Sequence, residues 1–153
     1  MNVLPGEVAS ALKSPMKSTS LFAFLLGLVC LVQPAAGQAP YEPKAGSAER
    51  KAIMDAMRAP VSKQIGKPVT FTGQVRVVGS WARFHGNVAP TDGKPPKSED
   101  AKFALDLDFF ALLRKTDGGD WEVLHHGFAG DIGVMEEAKE KFPKAPRALF
   151  TAE

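Results

Sequence analysis

The feature that most restricts the fold is VTFTGQVRVVGSWARFH, residues 69–85, where apolar and polar residues alternate on both sides of a Gly-Ser pair. Alternation at period two puts one set of side chains on each face of a strand. Gly79-Ser80 places glycine at the first central position of a two-residue turn, where type II′ geometry demands positive φ. A hairpin is therefore expected, with Val75 opposite Phe84 and Val77 opposite Ala82 on one face. The other face collects Gln74 with His85, Arg76 with Arg83, and Val78 with Trp81.

A second hairpin is read downstream. KFALDLDFFALLRK, residues 102–115, alternates Phe103, Leu105, Leu107, Phe109, Ala111 and Leu113 on one face and reads as the longest strand. Its opposite face takes Asp106, Asp108, Phe110, Leu112 and Arg114. The turn at Asp117-Gly118-Gly119 leads into WEVLHH and sets Leu113 against Val123 and Arg114 against Glu122, a favourable cross-strand charge pair. In that register His125 joins Val123 and Ala111 inside, and His126 joins Leu124 and Phe110 outside. Between the hairpins, APTDGKPPKSED reads as a mobile polar loop.

Helices flank the strands. Ser47 is a candidate N-cap with Glu49 in the first turn, and Ile53, Met57, Val61 and Ile65 form one apolar stripe. Pro60 is expected to kink this helix or split off its last turn, and Gly66 to end it. Asp131 can cap a final helix, DIGVMEEAKEKF, that buries Met135, Ala138 and Phe142. The tail PKAPRALF cannot remain helical, yet Leu149 and Phe150 are too apolar to stay in water, so the tail is expected to dock.

The N-terminal part has a different character. From Met16, Lys17 precedes an apolar run from Leu21 to Val32 and then Ala35-Ala36-Gly37, the layout of a secretory signal peptide cleaved after Gly37. Translation is expected to start at Met16. Residues 1–37 are thus assigned to the signal, 38–46 to a flexible leader and 47–150 to a single α+β domain. Cys30, the sole cysteine, leaves with the signal, so the mature chain has no disulfide, thiolate metal site or thiol nucleophile. Export without disulfides fits a bacterial periplasm, or secretion. The mature charge is near neutral, which argues against nucleic-acid binding, and no membrane span is expected once the signal is removed.

Four segments, GSAERKAIMDAMRAPVSKQIGKPVTF, VRVVGSWARF, DGGDWEVLHHGFAGDIG and APRALF, occur in an order that resembles an uncharacterised family of small exported, periplasmic proteobacterial proteins. The resemblance covers Ser47 to Phe150. Where relatives have a Gly-Asp-Trp hairpin, this chain has Gly79-Ser80-Trp81, and where they have tryptophans near the end it has Met135 and Phe142. The resemblance implies export and a fold, and no catalytic residues. The expected architecture is an N-terminal helix packed on a four-stranded antiparallel sheet, then a short C-terminal helix and a docked tail. That outline is similar to cystatin-like and nuclear-transport-factor-like folds.

Three functions follow from the side chains available. The first is a non-enzymatic binding or accessory protein for an anionic ligand or periplasmic protein, using Arg76, Arg83, His85 and Trp81 on the open sheet face. Two arginines and a titrating histidine on one face would suit an anion. The second is a small hydrolase or isomerase using His125 or His126 with Asp106 or Asp108, which requires a histidine and a carboxylate within hydrogen-bond reach in a cavity. The third is metal carriage. Adjacent histidines in a strand point to opposite faces, so His125 and His126 cannot together grip one ion, and no metal site is assigned. No P-loop or GxGxxG is present, and no cofactor is expected.

Overall fold

The computed structural model describes residues 38–129 and 133–151; the expected signal segment and Asp131 lie outside the described residues. The first helix, α1, runs over Ala48–Ile65. The Ser47 hydroxyl accepts from the Arg50 N–H at 3.2 Å, and Gly66, at φ 76°, closes the helix in the left-handed conformation. Ile53, Met57, Val61 and Ile65 are buried, as their spacing requires. Pro60 does not split off the last turn: Val61 and Ile65 stay helical, held by their burial although proline removes one backbone donor.

Strands β1 (Val69–Val78) and β2 (Trp81–Pro90) form the expected hairpin, with Val75 opposite Phe84 and Arg76 opposite Arg83. Gly73 and Gly86 face each other across it. A Cβ on Gly73 would lie 2.3 Å from the His85 carbonyl oxygen, so the two backbones approach more closely than any side chain permits. Arg50 donates to the Gly73 carbonyl at 2.7 Å and to Glu42 at 2.9 Å, joining α1, β1 and the leader. The leader is fastened rather than loose at Tyr41, which exchanges backbone hydrogen bonds with Val77 at 3.0 and 2.8 Å.

The next element corrects the sequence reading. Residues Glu99–Leu105 form a short helix, α2, instead of a loop running into a strand. Ser98 caps it, accepting from the Ala101 N–H at 3.4 Å, and Glu99 and Asp100 occupy the first turn, where negative charge suits the helix dipole. Phe103, expected inside a strand face, is 67% exposed. Strand β3 begins only at Phe109 and ends at Lys115, so Asp106 caps the end of α2 and Asp108 precedes the strand.

Strand β4 (Trp121–Phe128) completes an antiparallel sheet in the order β1-β2-β3-β4. Its first rungs are those expected, Arg114 with Glu122 and Leu113 with Val123. The next partner of Leu112 is His125, so Leu124 is an extra, bulged residue. Side chains beyond Leu124 therefore exchange faces relative to a regular strand. Helix α3 (Gly133–Lys141) and a 3-10 turn at Arg147–Leu149 follow.

Apolar layers cover both faces of the sheet. On one side α1 packs over Val75, Val77, Phe84, Phe109, Ala111 and Leu113. On the other, Val78, Phe110 and Leu112 form a second core with Ala138, Ala145 and Leu149. The expected open outer face is thus occupied by the chain's own α3 and docked tail, because Phe110 and Leu112 form an apolar strip that the C-terminal residues bury.

Candidate functional site

The bulge at Leu124 decides where the two histidines go, and it reverses the expected sides. His126 opposes Ala111 and meets the Phe109 ring at 5.9 Å, in the layer under α1. His125 opposes Leu112 and lies under α3, with its ring 6.5 Å from Phe142 and its Nε2 3.6 Å from the Glu137 carboxylate. Burial pushes the His125 imidazole below its usual range, as does the Lys141 cation, while Glu137 and the Val134 backbone oppose the shift. His126 is lowered by burial and then by His125. Both are therefore held toward the neutral form.

The carboxylates expected to work with them are elsewhere. Asp106 is exposed at the end of α2, and Asp108 lies 3.9 Å from His85, too far for a hydrogen bond. Among the described residues neither aspartate hydrogen-bonds to His125 or His126. No group of three or more His, Cys, Asp or Glu side chains among the described residues could hold a metal ion.

The basic cluster is placed together, as its register requires, but is committed to the chain's own tail. Arg76 donates to the Thr151 carbonyl at 2.7 Å and to the Ala148 carbonyl at 3.3 Å. Arg83, opposite Leu112 of the second core, is only 8% exposed. The two arginines and Gln74 line a small cleft of about 140 Å³ beside Tyr41 and Glu42. His85 is turned toward Asp108 and does not join them.

Larger concave surfaces lie on either side of the C-terminal turn. One, of about 400 Å³, is bounded by Lys139 and Phe142 of the α3 end and by Arg147, Phe150 and Thr151. The other, of about 480 Å³, lies between the β1–β2 turn, with Val78 and Trp81, and Lys144, Pro146 and Arg147 of the tail. Arg147 borders both, and no carboxylate is among the described residues lining either, although Glu136 pairs with Lys139. Trp81, singled out in the sequence, is retained here with the Arg114 guanidinium 5.7 Å from its ring.

Sequence reasoning missed Lys139, Lys144 and Arg147 as neighbours of this surface. The available signal for Lys144 and Arg147 was PKAPRALF itself: a tail that must dock on apolar residues carries its intervening cations onto the body with it. Compared with family models, curated proteins and solved structures, the chain matches none.

Proposed function

We propose that this chain is an exported, non-enzymatic binding or accessory protein, periplasmic after removal of residues 1–37, and that its ligand or partner is anionic. The observation that carries this reading is the pair of clefts at the C-terminal turn, where Arg147 stands with Lys139, Phe142 and Phe150 in one and with Lys144 and Trp81 in the other, and no carboxylate is among the described lining residues. Convergent cations on an apolar concave surface are the ordinary composition of an anion-binding site. The separation of His125 and His126 onto opposite faces, away from Asp106 and Asp108, favours binding over acid–base chemistry.

Export of the full chain in a bacterial host, followed by native mass spectrometry of the periplasmic fraction, tests the reading. The expected product begins at Gln38 and carries an anionic small molecule or an acidic protein. A product that retains residues 1–37, or an ester- or glycoside-cleaving activity lost on His125→Gln, would overturn it.

A further inference from the structure

The cations of this surface differ in what they already do. Lys51, Arg58, Lys102, Lys139 and Lys141 each pair with a carboxylate of their own helix. Arg147 makes no side-chain hydrogen bond or ion pair among the described residues. Its place is set by backbone alone: it opens the 3-10 turn, and its carbonyl accepts from the Phe150 N–H at 3.0 Å. The backbone at Arg147 is thus fixed beside both clefts by a turn anchored through buried Leu149.

The cleft toward α3 adds an apolar lining to this cation. Phe150 stacks on buried Phe110, ring centroids 6.5 Å apart and 22° between planes, so that wall is fixed to the sheet. Phe142 stands beside it, and the Lys139 ammonium lies 5.8 Å from the Phe150 ring centroid. A volume of about 400 Å³ suits a small molecule and is too little for a folded partner. Arg147 disfavours a cationic occupant, and an anionic head group would give its guanidinium a partner, whereas Lys139 is already paired with Glu136.

We propose that this cleft binds a small amphiphilic anion, a carboxylate or sulfonate anchored by Arg147, with its apolar body between Phe142 and Phe150. The proposal rests on the binding-protein reading and narrows its ligand to one chemical class. Arginine suits the head group because its planar fork can meet two oxygens at once, and Lys139, shared with Glu136, contributes less.

Calorimetric titration of the full chain with decanoate, decanol and decyltrimethylammonium, all below micelle formation, tests this. Decanoate is expected to bind at least about tenfold more tightly than either of the others, the factor for one charge-assisted contact. Arg147→Glu should weaken decanoate binding at least about tenfold with an unchanged thermal midpoint, and Lys139→Gln should weaken it less. Equal binding of the three decyl compounds, or undiminished binding to both variants, would overturn the proposal. So would selective quenching of Trp81 by decanoate, read in a Trp121→Phe variant, which would place the occupant in the hairpin cleft. If decanoate fails to bind while the periplasmic protein still carries an anion, only this assignment falls; if neither is found, the binding reading falls as well.

Discussion

The two hairpins of the sheet are built alike and behave differently. Each is antiparallel and turns at glycine, yet β1 and β2 stay in step from Val78–Trp81 to Val69–Pro90, while β3 and β4 lose step after Leu113–Val123. In the first hairpin a single polarity pattern, anchored by a two-residue turn, sets every rung. In the second, Leu124 is inserted without a partner, and it is apolar enough to sit on either face. The imidazoles after it are equally tolerant, being apolar in body and polar at the tip. Register near a turn is therefore readable, and facing beyond an inserted residue is not.

Gly73→Ala should break this contrast most severely, by putting the in-step hairpin out of step. Its Cβ would lie 2.3 Å from the His85 carbonyl oxygen and 2.6 Å from the Gly86 Cα, backbone atoms that cannot yield without parting β1 from β2. We expect a loss of about 4 kcal/mol or more in denaturant unfolding. Unchanged stability would mean that β1 and β2 part locally at no cost and that the first hairpin is no more fixed than the second.

Phe109→Ala and Phe110→Ala probe the two faces through neighbouring residues. Both are buried, at 0% and 1% exposure, so each should cost about 3–5 kcal/mol. A cost below about 1 kcal/mol for Phe110 alone would show that the layer of α3 and tail is not a second core.

Arg76→Gln comes next, at about 1–2 kcal/mol, because it removes donors to the Ala148 and Thr151 carbonyls. Hydrogen exchange of the tail amides should rise with it. Exchange that stays as slow as in the parent would separate Arg76 from tail docking.

A smaller effect should come from pH. The folded-state values of His125 and His126 lie below 6.5, so the unfolded chain binds more protons as pH falls through that value. Stability is then full above about pH 6.5 and declines below it toward the folded-state values. The thermal midpoint should fall between pH 7.5 and 5.5, and His126→Phe should flatten part of that slope. A slope identical in the variant would exclude His126 as a contributor.

Asp106→Ala should change least, within about 0.5 kcal/mol, because the side chain is exposed and its capping hydrogen bonds come from the backbone. A loss near that of Phe109→Ala would restore the strand reading of residues 102–108.

What the sequence alone determined is local. The stripe Ile53–Met57–Val61–Ile65 with Ser47 and Gly66 at its ends specified α1, and alternation about Gly79-Ser80 specified the first hairpin down to its facing pairs. Such signals are complete within a few residues, so no distant contact is needed to read them. Phe103, Leu105 and Leu107 suited a strand by spacing, but the Ser98 cap and the acidic first turn prevailed, and α2 packs Ala101 into the core. Only the tertiary structure decided that the outer face is covered, that His125 and His126 exchange sides, and that Arg147 reaches the clefts. Each depends on where a distant segment lies: the tail on the sheet, the bulge in β4 against an unbroken β3. A polarity pattern records that a residue prefers burial; it carries no record of which distant segment buries it.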